Sequence, residues 1–261
     1  MNDPSWRIVE DYDALSREAA AMFLGTVEEN PRSVLLLPTG STPEGMYREL
    51  VDAWRARRRS FRRVTTFNLD EYVGIPTSHR GSYRTYMQTR LFDHVDIEPA
   101  RAHVPDGLAT EIRREHPGIR LDRALELECD RYEKSIRDAG GIDVAFLGLG
   151  RNGHIGFNEP GSPFDSRTRV VRLHESTRRA NAPWFEGERV PERAITAGIA
   201  TILDAKSIVL MASGTAKADA IARLARGEVD PTFPASALLA HPRVLFLIDR
   251  DASSSTPALR D

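Results

Sequence analysis

The sequence predicts a single-domain α/β fold, with a mostly parallel, open sheet and helices on both of its faces. Short apolar runs alternate with helical patterns along the chain, which is typical of strands joined by helical crossovers. The central runs are apolar on both faces, as strands are when helices cover both sides of a sheet. The 261 residues suffice for one large core, and no repeat or composition shift marks a boundary within 1–261. We describe this predicted arrangement as Rossmann-like.

The predicted strands are short runs of leucine and β-branched residues between polar or glycine-containing segments. Five such runs predict buried strands, at 33–37, 64–68, 143–149, 207–212 and 244–249. Two weaker runs with alternating polarity predict half-buried strands, at 6–10 and 168–173. Helical patterns fill the intervals, at 12–29, 43–58, 82–93, 120–139 and 215–227.

The composition argues against several classes of protein. With 36 basic and 38 acidic residues the formal net charge is −2, so no field of one sign attracts nucleic acid or an anionic membrane. The one cysteine, Cys129, excludes an internal disulfide framework. No apolar run approaches the roughly 20 residues that span a bilayer, and the first residues lack a signal-peptide pattern. We therefore expect a cytoplasmic protein with no nucleic-acid or membrane partner.

Polar segments follow the predicted buried strands directly. They lie at 38–43, 69–74, 150–160 and 213–217, and each contains glycine. In open α/β sheets, ligands bind in the crevice beyond the carboxyl ends of the strands. The sequence therefore predicts that these four segments line one ligand site.

Two of these segments have the features of an anion site. Backbone N–H groups of a first helical turn, together with nearby hydroxyls, attract anions. A lysine in a first helical turn opposes the helix dipole, and a bound phosphate would explain its presence. An ordinary helix cap explains either segment alone, but the two together favour a phosphate ligand. The predicted phosphate-binding residues are Thr39, Gly40, Ser41, Thr42 and Lys217.

Asp70 and Glu71 stand next to each other after the buried strand predicted at 64–68. Adjacent carboxylates at a strand end point in different directions, so one can face the crevice while the other packs or pairs. A carboxylate in a partly dry cleft can act as a general base, which is the role we predict for Asp70. The alternative is that Asp70 only caps a helix.

The segment after the strand at 143–149 contains G-x-G-x-x-G, with glycines at 148, 150 and 153. A dinucleotide-binding fingerprint runs directly into a helix, whereas the glycines and prolines that follow here prevent a long one. We therefore reject a nucleotide site. Asn152, His154 and Glu159 remain, and an imidazole positioned by a carboxylate is a proton shuttle suited to neutral pH. One histidine and one glutamate do not make a metal site.

Several motifs occur in the order and spacing of one known family. They are FNLDEYVGI at 67–75, SYRTYM at 82–87, GLGRNGHIGFNEPGS at 148–162, SRTRVV at 166–171, STRRAN at 176–181, AITAGIATILDA at 194–205 and SGTAKADAI at 213–221. The chain resembles the glucosamine-6-phosphate deaminases of the glucosamine/galactosamine-6-phosphate isomerase family, and G-H-I-x-F-N-E-P is its most specific motif. The 6-phosphogluconolactonases share this fold but differ at that motif.

The resemblance implies a NagB-type fold and a step of amino-sugar catabolism. A 2-amino sugar 6-phosphate would bind with its phosphate in the two anion segments. His154, positioned by Asn152 and Glu159, would open the pyranose ring. Asp70 would move a proton from C2 to C1, and loss of ammonia would leave fructose 6-phosphate. The resemblance also implies a mobile lid around 160–190 and no metal or organic cofactor.

The chain departs from the family pattern at two positions. Asn152 replaces an aspartate of better-known deaminases, so the imidazole beside it should be less basic. Pro183 stands where the family has a phosphate-contacting arginine, and Arg178, Arg179 and Arg189 are the candidates to replace it. A lactonase, a plain isomerase, an enzyme for galactosamine 6-phosphate and a non-catalytic sugar-phosphate sensor stay open as alternatives. A homo-oligomer is possible, and no sequence feature decides it.

Overall fold

Seven parallel strands form the central sheet of the computed structural model, which describes residues 5–56, 59–256 and 259. The strands are β1 (Ser5–Val9), β2 (Val34–Leu37), β3 (Thr65–Asn68), β4 (Asp70–Tyr72), β5 (Ala102–His103), β6 (Val144–Gly148), β7 (Arg169–Arg172), β8 (Arg193–Thr196), β9 (Ser207–Ala212) and β10 (Val244–Asp249). The order across the central sheet is β1-β10-β9-β6-β2-β3-β5, and a smaller sheet has the order β4-β8-β7.

Helices cover both faces of the central sheet. The α-helices are α1 (Tyr12–Glu29), α2 (Glu44–Arg55), α3 (Tyr83–Arg90), α4 (Thr110–Glu115), α5 (Leu121–Asp138), α6 (Glu175–Asn181), α7 (Ile199–Leu203) and α8 (Ala218–Ala225). Short 3-10 helices lie at Phe92–His94, Pro99–Arg101, Ala182–Phe185, Thr215–Lys217 and Pro234–Ala240. Within the described ranges, no helix has the length and apolar character needed to cross a bilayer.

Two clusters of buried apolar side chains fill the two faces of the sheet. Successive residues of a strand point to opposite faces, so Phe146 belongs to one cluster and Leu147 to the other. Leu35 and Leu36 of β2 divide in the same way, and all four side chains are fully buried. This two-sided burial explains why the central strands are continuous apolar runs in the sequence.

The direction of winding reverses between β2 and β6. From β2 the chain continues through β3 to β5 at one edge, whereas from β6 it continues through β9 to β10 on the other side. The loops after β2 and β6 therefore leave the sheet in opposite directions. A crevice opens between such loops at a topological switch point, which is where ligands bind in this class of sheet.

The seven predicted strands and the α/β architecture are confirmed. The predicted strand at 168–173 exists but does not belong to the central sheet. It is β7, which pairs with β8 in the small antiparallel sheet. The segment 69–74, predicted as a loop, contains β4, a three-residue strand that pairs with β8. So short a strand depends on its distant partner rather than on a local pattern. The predicted helix at 43–58 is described over Glu44–Arg55, and positions 57–58 lie outside the described residues.

Candidate active site

A cavity of about 630 Å³ lies at the switch point, beyond the carboxyl ends of β2 and β6. All four predicted polar segments contribute to its wall. Of the nine predicted site residues, eight line it, and Glu159 lies behind them in contact with Asn152. The lining residues among the predicted set are Thr39, Gly40, Ser41, Thr42, Asp70, Asn152, His154 and Lys217.

The loop 38–42 is held through its carbonyl oxygens. The Tyr47 hydroxyl donates to the Pro38 carbonyl (2.6 Å), and the Tyr86 hydroxyl donates to the Gly40 carbonyl (2.7 Å). In the described part of the chain, the N–H groups of residues 39–42 have no hydrogen-bond partner. A loop with anchored carbonyls and free N–H groups at the start of a helix is suited to binding an anion.

Asp70 is placed by the small sheet. It lies opposite Thr196 in the β4–β8 pair, lines the cavity and is almost fully buried. Its Oδ1 atom has no hydrogen-bond partner among the described residues. Burial, and then the negative charge of Glu71, raise the pKa of Asp70 well above the usual carboxyl range. A carboxyl group in this environment takes up and releases a proton at a higher pH than a solvated one.

Glu71 points away from the cavity and fastens the start of α3. Its carboxylate accepts hydrogen bonds from the Ser82 hydroxyl (2.6 Å) and from the backbone N–H groups of Tyr72 (2.8 Å), Tyr83 (3.0 Å) and Arg84 (3.0 Å). The two adjacent carboxylates therefore diverge, as the sequence suggests. Burial raises the pKa of Glu71, although these hydrogen bonds oppose the shift.

A Glu71→Ala substitution is expected to lower the free energy of unfolding by about 2–4 kcal/mol, because it removes the acceptor of several buried donors at once. Urea denaturation monitored by circular dichroism measures the change. The control is Glu111→Ala, which removes an exposed ion pair with Arg114 and should change stability by less than about 0.5 kcal/mol. Equal effects of the two substitutions would contradict the role given to Glu71.

His154 stands at the end of a hydrogen-bonded chain. Its Nδ1 atom lies 2.7 Å from Oδ1 of Asn152, and Nδ2 of Asn152 donates to Oε2 of Glu159 over 2.9 Å. The Thr177 hydroxyl donates to the other oxygen of Glu159. Glu159 is buried, so the chain is anchored in the interior and ends at the cavity.

The hydrogen bonds from Glu159 through Asn152 to His154 determine which nitrogen of His154 carries the proton. Glu159 is an acceptor when ionised, so the Asn152 amide turns its NH₂ group toward it and its oxygen toward the imidazole. An amide oxygen only accepts, so Nδ1 of His154 must be the protonated nitrogen. The lone pair of a neutral His154 is therefore on Nε2. Burial, together with the charges of Lys217 and His174, lowers the pKa of His154, and Glu159 partly opposes this.

Two glycines of the G-x-G-x-x-G segment, Gly150 and Gly153, lie where a side chain would not fit. A side chain at Gly150 would overlap the His154 ring, and one at Gly153 would overlap the Phe233 ring. Gly153 also has a φ of +83°, in the left-handed region that favours glycine. These glycines allow a tight turn that brings His154 to the cavity.

An Asn152→Asp substitution is expected to raise the pKa of His154. A carboxylate beside Nδ1 stabilises the imidazolium, whereas the amide holds no charge. An NMR titration of the His154 ring measures the shift directly. Asn30→Asp, at the end of α1 and far from the cavity, is the control and should leave the titration unchanged. An unchanged or lowered pKa in the Asn152 variant would contradict this account.

Lys217 approaches the same cavity from the loop after β9. It lies in the 3-10 turn just before α8, and its Nζ atom donates to the Leu149 carbonyl over 2.7 Å. Asp249 fixes this loop by accepting from the Ser213 hydroxyl and the Gly214 N–H group. Burial, and then the charge of Arg151, lower the pKa of Lys217.

Residues 10–246 match the family model described as glucosamine-6-phosphate isomerases/6-phosphogluconolactonase. The chain belongs to this family. A glucosamine-6-phosphate deaminase of Shouchella clausii is 49% identical, with 94% of this chain and 95% of that protein covered. Glucosamine-6-phosphate deaminase 1 of Bacillus subtilis is 46% identical, with 95% and 98% covered. The resemblance found in the sequence motifs is confirmed.

Solved structures agree with this membership. A structure described as a monomeric glucosamine-6-phosphate deaminase of the NagB superfamily has a TM-score of 0.87 and 44% identity, covering 96% of this chain and 99% of that one. A 6-phosphogluconolactonase from Trypanosoma brucei has a TM-score of 0.77 at 19% identity, covering 98% and 100%. The second likeness shows a shared fold alone.

The arginines that the family comparison suggested as replacements at position 183 do not reach the cavity. Arg179 pairs with Glu175, while Arg178 and Arg189 both approach Glu192. None of the three lines the cavity in the part of the chain that the structure describes. The cationic lining residues there are Lys217 and Arg151, and sequence reasoning had not singled out Arg151.

Sequence reasoning also missed the wall formed by α6 and the turn after it. Its residues are Ser176, Thr177, Ala180, Asn181 and Trp184. Tyr83 of α3 lines the cavity as well, with its hydroxyl 3.3 Å from that of Tyr72. No local pattern identifies these residues, because they do not follow a strand of the central sheet. The family motifs at 82–87 and 176–181, which contain most of them, were the available signal.

Proposed function

We propose that this chain is a glucosamine-6-phosphate deaminase, which converts glucosamine 6-phosphate and water into fructose 6-phosphate and ammonia. The observation that carries the proposal is that one cavity combines an imidazole of defined tautomer with a buried carboxyl group. Free N–H groups and a lysine on the same wall provide for a phosphate. Each of these groups has a separate task in the reaction.

Ring opening is assigned to His154. The Nε2 lone pair takes the proton of the C1 hydroxyl, the bond between C1 and the ring oxygen breaks, and a proton passes to that oxygen. The products are the aldehyde and the C5 hydroxyl. The lowered pKa of His154 favours the neutral imidazole that this step needs, and Asn152 keeps Nδ1 protonated throughout.

Isomerisation is assigned to Asp70. Its carboxylate takes the proton from C2 and returns it to C1, while one proton of the substrate ammonium passes to the C1 oxygen. The aldehyde thereby becomes an alcohol, and C2 becomes an iminium carbon. Water adds at C2 and ammonia leaves, which gives the ketose. The substrate ammonium at C2 favours the ionised carboxylate in the bound complex, although burial raises the pKa of Asp70 in the empty site.

We also propose a mobile lid and a cellular location for the enzyme. The segment 160–190 is proposed to move, since residues of α6 and Trp184 form the cavity wall next to a turn with Gly187 at a φ of +93°. We propose a cytoplasmic enzyme, because a phosphorylated sugar is held by a membrane on the side where it is made. Light scattering tests whether it is monomeric, like the solved relative described as such, or self-associated.

The deciding experiment is an ammonia assay on the purified chain. Glucosamine 6-phosphate should release ammonia and fructose 6-phosphate in equal amounts. Galactosamine 6-phosphate tests the configuration accepted at C4, and 6-phosphogluconolactone tests hydrolysis. Lactone hydrolysis without ammonia release from either amino sugar would overturn the proposed function.

A further inference from the structure

Arg151 is a cation of the cavity wall that has no partner among the residues the structure describes. It follows β6, lines the same cavity as His154 and Lys217, and is exposed. Within the described residues its guanidinium makes no ion pair and no hydrogen bond. Arg179, another exposed arginine, is by contrast paired with Glu175. An arginine left unpaired at a ligand cavity is available for an anionic ligand.

The position of Arg151 in the sheet places it between the two predicted anion segments. β6 lies between β9 and β2, so the loop after β6 runs between the loop that carries Lys217 and the loop 39–42. All three loops begin at the carboxyl ends of their strands, and these ends lie side by side because the strands are parallel. A guanidinium on the middle loop can therefore reach an anion held by its two neighbours.

Within the described ranges, no carboxylate forms an ion pair with Arg151 or Lys217. Arg151 is close enough to Lys217 for its positive charge to lower the pKa of that lysine. Among the lining residues the acidic side chain is Asp70, which belongs to the segment after β3 and whose own pKa is raised by burial. Two like charges side by side without a counterion are unfavourable, and an anion between them removes the cost.

We propose that Arg151 binds the phosphate of the substrate, together with Lys217 and the N–H groups of the loop 39–42. This inference rests on the proposed function and names a residue that determines its specificity for phosphorylated sugars. A guanidinium presents two parallel N–H donors to two phosphate oxygens, whereas Lys217 acts as a point charge. The phosphate group does not change during the reaction, so Arg151 stabilises the bound substrate and the transition state alike.

The test compares Arg151→Gln and Arg151→Lys with the wild-type enzyme. We expect Arg151→Gln to raise the KM for glucosamine 6-phosphate about 10- to 100-fold and to leave kcat within about twofold, because uniform binding is lost. Arg151→Lys, which keeps the charge but not the paired donors, should lie between the two. Arg123→Gln is the matched control, since it removes an exposed, ion-paired arginine of α5 that is outside the cavity lining, and its KM should not change.

Calorimetric titration with inorganic phosphate tests the inference without turnover. The wild type and the Arg123 variant should bind phosphate equally, and Arg151→Gln should weaken binding by the same factor as it raises KM. If neither the phosphate affinity nor KM changes in Arg151→Gln, or if kcat alone falls, the inference is overturned. A wild-type chain that releases no ammonia but loses phosphate affinity on this substitution would overturn the proposed function and support the phosphate site.

Discussion

An Asp70→Asn variant is expected to lose about 10²- to 10⁴-fold in kcat, because an amide cannot take the proton from C2. Asparagine has almost the same shape as aspartate, so the substrate should still bind. Ammonia release measures the loss. Glucosamine 6-phosphate labelled with deuterium at C2 identifies the affected step, since the wild type should transfer deuterium to C1 of the fructose 6-phosphate and the variant should not.

The same substitution is expected to raise stability at neutral pH. Burial raises the pKa of Asp70, so the folded state binds this proton more tightly than the unfolded chain does. The stability contributed by that proton is present in acid and is lost as the pH rises through the raised pKa. Asparagine carries no charge, so the variant should have the higher Tm at pH 7 and lose this advantage in acid.

Glu71→Gln is the matched control for Asp70→Asn. It changes the neighbouring carboxylate, which fastens α3 and does not line the cavity. We expect lower stability with activity largely retained. If Glu71→Gln loses activity as strongly as Asp70→Asn while both remain folded, the division of tasks between the two carboxylates is wrong.

A His154→Gln variant is expected to lose about 10²- to 10⁴-fold in kcat, because glutamine cannot accept the C1 hydroxyl proton. The wild-type acid limb of the kcat/KM profile should lie below the usual histidine range, since burial lowers the pKa of His154. In Asn152→Asp that limb should move to higher pH, because a carboxylate beside Nδ1 keeps the imidazole protonated up to a higher pH. Initial rates of ammonia release across the pH range measure both effects.

Two further variants separate chemistry from structure at His154. His154→Ala leaves space for a small base, so added imidazole should restore part of the activity. His116→Gln removes an exposed histidine outside the cavity lining and should keep near wild-type rates. Activity of His154→Gln above about one tenth of the wild type would contradict its role as the proton carrier.

The strands that helices cover on both faces of the sheet could be predicted well from the sequence. A strand covered on both faces must be apolar throughout, and β2, β6, β9 and β10 have this pattern in the sequence. The small sheet could not be predicted in the same way. β4 has three residues, and what makes it a strand is pairing with β8, more than a hundred positions later.

The site could be predicted as far as its residues follow strands of the central sheet. Asp70, Asn152, His154 and Lys217 were all found from that rule, and the cavity brings them together. Arg151 was passed over, although it is next to Asn152. A sequence does not show whether an arginine lies at a cavity without an ion-pair partner or simply in solvent. Only the structure shows which charges surround it.

The sequence by itself determined the α/β class, the family and the residue types available for acid-base chemistry. These properties depend on local composition and on motifs that are contiguous in the chain. Only the tertiary structure decided that Asp70 faces the cavity while Glu71 accepts hydrogen bonds at the start of α3. It also decided that the Asn152 amide, held by its hydrogen bond to Glu159, orients His154. The physical reason is that burial, hydrogen-bond direction and unbalanced charge arise from groups brought together by folding.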